Sequence, residues 1–207
     1  MMLNLLFSDP LTYLMASVAI LLAFTVHEYS HAQAGDLLGD KTARALGRLT
    51  LNPLKHIDPL GFIFILIIGF GWGKPVPFNP LNIKNKRWGP ALIALAGPMS
   101  NLSMAIIIGL ILRFVPIANV GLNSFLVIFV WLNVVLGVFN LIPIPPLDGS
   151  HIFMAFLDYE KAQRYKMTFL KNNFLSIILA IFVMIYIVLP YIARPLFGLI
   201  VGGSPIF

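Results

Sequence analysis

Sixteen consecutive uncharged residues, Leu11 to Val26, run directly into His27-Glu28-Tyr29-Ser30-His31. No other feature limits the chain so strongly. An apolar run of this length belongs in lipid, where no water can satisfy backbone N–H and C=O groups, so it must be helical. On a helix His27 and His31 stand one turn apart on the same face. At about 1.5 Å per residue, His27 lies roughly 24 Å beyond Leu11, inside a hydrocarbon core about 30 Å thick and nearer its exit side. Ionisable residues at that depth are costly and mark function. Two imidazoles at this spacing can share one Zn²⁺, and a glutamate beside the first can act as general base on a bound water. Glu28 is one of only two glutamates in the chain. The plain alternative is a pair of inert histidines at the headgroup level.

The rest of the chain has the same character. It is 59% hydrophobic and 11% charged, where soluble domains carry about 25% charged residues. Ala91–Leu112, Leu122–Leu147 and Phe174–Ala193 are further uncharged stretches long enough to span. The expected fold is an all-α polytopic membrane protein of about four spanning helices. We read residues 1–207 as one domain, with a core at about 10–160 and a C-terminal helix at 174–198. Arg194 is expected to end the last span. Leu60–Phe70 is apolar but only eleven residues long, which suits a short re-entrant or interfacial segment. Ala43–Leu51 reads as a short strand or an irregular interfacial segment, and a strand there would give short β-hairpin elements near the cytoplasmic face. Met1–Asp9 lacks the basic start of a cleavable signal peptide.

Charge sets the expected topology. The net charge is +6, and basic residues gather in 36–56, 71–90 and 158–173. By the positive-inside rule these segments are cytoplasmic and the N-terminus is outside. If 60–70 crossed the bilayer, two of the basic loops would fall on opposite faces; a re-entrant segment keeps both inside. The charge suits anionic lipid, and nothing in the pattern suits nucleic acid. A homo-oligomer is left open. The chain has no cysteine, so any metal must be held by His, Asp or Glu.

A catalytic zinc takes three protein ligands and keeps one position open. Beyond His27 and His31 the candidates are His56, Asp58, Asp148 and His151. The stretch 122–147 runs outside to inside, as the first helix does, and delivers Asp148 at a similar depth. Pro143, Pro145 and Pro146 would bend the backbone there. Depth therefore favours Asp148 over the other three. His151, one turn further on, can support a ligand by hydrogen bonding or can be a plain interfacial histidine. Asn140 can hydrogen-bond a substrate backbone or an oxyanion, or can simply join two helices.

Three stretches together resemble the site-2 protease family of intramembrane zinc metalloproteases: His27-Glu28-Tyr29-Ser30-His31, Ala96-Gly97-Pro98-Met99-Ser100-Asn101, and Asn140-Leu141-Ile142-Pro143-Ile144-Pro145-Pro146-Leu147-Asp148-Gly149. The resemblance covers roughly residues 10–160. It implies one Zn²⁺ per chain on His27, His31 and Asp148, with Glu28 as the catalytic base. It also implies a substrate that is a transmembrane or membrane-proximal segment of another protein. Ser150 stands where many members carry a second glycine. Lys74-Pro75-Val76-Pro77 looks like the compact branch, without a PDZ insertion or nucleotide-sensing domain. The competing class is a non-proteolytic membrane metal-binding protein or transporter, which also uses intramembrane His and Asp with broken helices. Glu28 separates the two: a position rotated about 100° from a ligand reaches a bound water without binding the metal.

Overall fold

The computed structural model describes residues 2–69, 71–171 and 173–203. A short helix α1 (Met2–Ser8) leads into α2 (Pro10–Leu37), the first of four helices long and apolar enough to cross a membrane. Asp9 starts α2 by accepting the Thr12 N–H at 3.1 Å, and Pro10 follows at the first helical position, where its missing N–H costs nothing. After a one-turn helix α3 (Thr42–Ala45) and a 3₁₀ turn at Pro53–Lys55 comes α4 (Pro59–Ile68). A second 3₁₀ turn at Pro80–Asn82 precedes the spans α5 (Gly89–Phe114) and α6 (Val120–Asn140). Then follow α7 (Asp148–Phe156), α8 (Tyr159–Lys171) and α9 (Asn173–Val183). A π-helical stretch (Met184–Ala193) and α10 (Arg194–Val201) continue α9 and complete the fourth span, Phe174–Val201.

Helices α2, α5 and α6 pack on one another and form the centre. Ala16, Ala19 and Ala23 of α2 and Ala105 of α5 are buried. Small residues at these contacts let backbones approach closely, which is how helices associate in lipid. The C-terminal rod lies against α5 and α6. Arg194 does not end it: this exposed side chain is accommodated and the helix runs on to Val201. The stop is Gly202, whose φ of 85° suits glycine, and Arg113 donates to the Leu199 carbonyl at 2.7 Å in the last turn.

The short segment after α3 behaves as its length demands. Helix α4 is ten residues, about 15 Å at 1.5 Å per residue, half a hydrocarbon core. Its backbone is folded against the returning chain: a Cβ on Gly61 would sit 1.9 Å from the Trp72 carbonyl oxygen, and one on Gly71 would sit 2.1 Å from the Gly61 oxygen. Lys74 N–H then donates to His56 C=O at 2.9 Å. Both ends of 57–73 are thus tied together. Phe70, part of this expectation, lies outside the described residues.

The expected strand at 43–51 is absent, and no strand occurs among the described residues. Two local features replace it. Asp40 accepts from the N–H and hydroxyl of Thr42 just ahead of α3, and Gly47, at φ 65°, turns the chain. The irregular run 74–79 cannot form a regular ladder either, because Pro75 and Pro77 lack the donor. Helix α6 stops at Asn140, well short of Leu147. The prolines that follow form an irregular turn, packed by Ile142, Ile144 and Leu147 into the core.

Candidate metal centre

Helix α2 brings His27, Glu28 and His31 to a buried face, and α7 brings Asp148 to the same point from its first turn. His27 Nε2 lies 3.0 Å from His31 Nε2, and Asp148 Oδ2 lies 3.1 Å from the first and 3.3 Å from the second. They are the one group of three among the described residues with ligand atoms this close, all within 4.8 Å of one another. Four tetrahedral ligands about 2.0–2.1 Å from a common centre would stand about 3.3 Å apart. The observed spacing is near that value.

Hydrogen bonding fixes which nitrogen of each ring faces inward. Asn133 Nδ2 donates to the Phe129 carbonyl at 2.9 Å, so its Oδ1 faces the Asn101 amide, which donates to it at 2.9 Å. Asn101 Nδ2 also reaches the Ala23 carbonyl at 3.0 Å. Asn101 Oδ1 is therefore left to accept from His27 Nδ1–H, at 2.6 Å. His31 Nδ1–H likewise donates to the Ile93 carbonyl at 2.7 Å. In neutral rings both Nε2 atoms then carry lone pairs. Two lone pairs and a carboxylate oxygen converge without a donor between them, an arrangement that only a cation satisfies well. The donor set, two imidazoles and one carboxylate, suits Zn²⁺.

Two glycines make room. A Cβ on Gly97 would lie 2.5 Å from His31 Nε2 and 2.6 Å from His27 Nε2. A Cβ on Gly149 would lie 2.2 Å from the Leu141 oxygen, so only glycine lets α7 close on the turn that delivers Asp148. The small residues of 96–101 thus do more than bring helices together.

Glu28 stands outside the group of three. Its Oε2 accepts the Val76 N–H at 3.2 Å, from the irregular strap 74–79. The strap is close at Gly73 too, where a Cβ would overlap the Phe24 ring. Among the other candidates, His56 is fully buried with Nε2 against the Thr50 carbonyl at 2.8 Å, and Asp58 caps α4 through the Gly61 N–H at 2.9 Å. Asn140 donates to the Leu136 carbonyl at 3.0 Å, and His151 lies edge-on to Phe78, ring centres 6.3 Å apart. Asn133 and the strap were not singled out by sequence as parts of the site. A second buried asparagine in a span was the only available signal for the first.

The profile of peptidase family M50 matches residues 113–189. A Bacillus subtilis (strain 168) protein named "Putative zinc metalloprotease YwhC" is 43% identical over 143 residues, 65% of this chain and 65% of that protein. "Putative zinc metalloprotease Rip2" of Mycolicibacterium smegmatis is 33% identical over 151 residues, 68% of this chain and 58% of that protein. The chain therefore matches under two thirds of either relative's length. No solved structure matches it at a significant level. Sequence relatives, profile and motifs agree: over the stretches that they match, this chain, with its four candidate membrane spans, is similar to peptidase family M50, the site-2 protease family.

Proposed function

We propose that this chain is an intramembrane zinc metalloprotease of the cell membrane, cutting peptide bonds within or near transmembrane segments of other membrane proteins. One observation carries the reading: His27, His31 and Asp148 converge at ligand spacing while Glu28 lies beside them and outside their set. When bound, Zn²⁺ supplies Lewis acidity, lowering the pKa of a water and polarising a carbonyl. His27 and His31 hold it through Nε2 and Asp148 through a carboxylate oxygen. Glu28 takes a proton from the attacking water and delivers it to the leaving amine nitrogen. Asn140 contacts the substrate backbone or oxyanion; its amide carries two hydrogens, and the bond to Leu136 uses one. His151 supports Asp148 from the next turn.

A membrane-spanning substrate has its carbonyls tied up in its own helix, so it must unwind locally to be cut. The re-entrant segment 57–73 is where it docks. In the bilayer the segments 36–56, 71–90 and 158–173 face the cytoplasm and the N-terminus lies outside. With no native cysteine, single cysteines at Thr42, Asn85 and Gln163 should all label from the inner side; Thr42→Cys and Asn85→Cys labelling from opposite sides would contradict this topology.

Glu28→Gln tests the chemistry. It keeps the size and the metal but removes the proton acceptor, whose loss costs about 10²–10⁴-fold. We expect normal zinc content, lost cleavage of reconstituted single-span proteins, and retention of substrate. Full cleavage by zinc-loaded Glu28→Gln would refute the mechanism. Metal transport with no cleavage product in either form would favour a transporter.

A further inference from the structure

Arg48 is a buried cation with no carboxylate partner. It is 7% exposed and forms no salt bridge among the described residues. Burial pushes its guanidinium below the ordinary value, with nearby Glu28 opposing, and an arginine stays charged through any such shift. Its Nη2 donates to the Lys74 carbonyl at 2.6 Å, and its Nε has no partner. A charge held out of water with incomplete bonding is expensive, so its position calls for a reason.

The reason lies in what Arg48 holds. Lys74 and Val76 are two residues apart, separated by Pro75. Lys74 gives its N–H to His56 C=O at 2.9 Å and its C=O to Arg48, while Val76 gives its N–H to Glu28 Oε2 at 3.2 Å. Pro75 and Pro77 have no N–H, so Val76 is the lone backbone donor between Lys74 and Phe78. Further on, the Asn79 N–H donates to buried Asp40 at 2.6 Å. The strap is pinned on both sides of the bond to Glu28.

Resting on the protease reading above, we infer that Arg48 is a positioning residue for Glu28: it clamps the Lys74 carbonyl, and so fixes the Val76 N–H that orients the Glu28 carboxylate. Without Arg48 the strap loosens, and Glu28 samples orientations that miss the attacking water. Misplacement of about 1 Å costs on the order of 10²-fold.

The test uses the full chain in lipid, with zinc content, hydrogen exchange of the strap, and cleavage kinetics measured together. The prolines make exchange easy to read, because 74–78 contains only three amides, at Lys74, Val76 and Phe78. Arg48→Ala should keep its zinc, exchange faster at Lys74 and Val76, and lose kcat by roughly 10- to 100-fold with KM little changed. Arg48→Lys, which keeps a cation and a donor, should recover part of kcat. In a Glu28→Gln background, Arg48→Ala should cost no further activity. Unchanged exchange, unchanged kcat, a KM effect alone, no rescue by lysine, or zinc loss in both variants would overturn the inference. If the wild-type chain cleaves no membrane-spanning peptide, the protease reading fails on its own. Exchange then still decides the clamp: faster in Arg48→Ala upholds it, unchanged overturns it.

Discussion

The first and last spans are equally long and differ in nearly everything else. Pro10–Leu37 and Phe174–Val201 are 28 residues each, and the first is the less apolar. The less apolar helix is the more buried. It carries His27, Glu28, His31 and Asp36 among its buried residues, and each has a named partner. The last helix is richer in Ile, Leu, Phe and Tyr and turns many of them outward. Apolarity alone therefore does not draw a helix to the centre of a membrane protein. Small residues and polar groups needing partners do, because lipid already satisfies an isoleucine and cannot satisfy an imidazole.

The largest way to break this contrast is to remove a polar group that the centre was built around. Asp148→Ala deletes one of three donors facing each other at 3.0–3.3 Å. We expect zinc content to fall from about one per chain to near zero, since a three-ligand site does not survive as two. His56→Ala, at a fully buried histidine bonded only to the Thr50 carbonyl through its ring, should keep the metal. Metal analysis of both proteins decides. Metal retained by Asp148→Ala and lost by His56→Ala would reverse the ligand assignment.

A smaller effect should follow one bond further out. Asn101→Ala leaves all three donors in place but frees the His27 ring to turn or change tautomer. Such supporting partners are typically worth about 10–100-fold in metal affinity. Asn133→Ala, which removes the group that orients Asn101, should fall nearer the low end of that range. Competition with a chelator measures both. Equal affinity in wild type and Asn101→Ala would show that ring orientation does not depend on this network.

What the sequence made legible follows the same contrast. Lipid leaves the backbone few choices, so the four spans were readable to within a few residues, apart from the run past Arg194, and the prolines after Asn140 marked where α6 breaks. The two histidines and the short length of α4 were readable for similar reasons. The strap was not, because 74–79 follows no period: its backbone bonds go to the side chains of Glu28, Arg48 and Asp40, tens of residues away. Of the two readings of 43–51 the irregular one holds, because alternation alone cannot foresee the bonds of Thr42 to Asp40 and the left-handed Gly47. Asn101 was visible within a motif, but its role needed Asn133 from another helix.

The smallest predicted effect sharpens the comparison most directly, because it changes similar small volumes on both helices. Ile187→Val removes one methylene from a side chain that is 48% exposed on the last span. No cavity forms, the removed atoms faced outward, and the cost should stay within about 0.5 kcal/mol. Ala19→Val adds two methyl groups at a position that is fully buried on α2, packed against Ile128 of α6. Overpacking there should cost about 1–3 kcal/mol, and it would press α2 away from the helix that supplies Asn133. Thermal unfolding of the two variants in the same lipid, with zinc content alongside, makes the comparison. Equal shifts would mean that the last span is as tightly constrained as the first, and that its outward face is covered by protein.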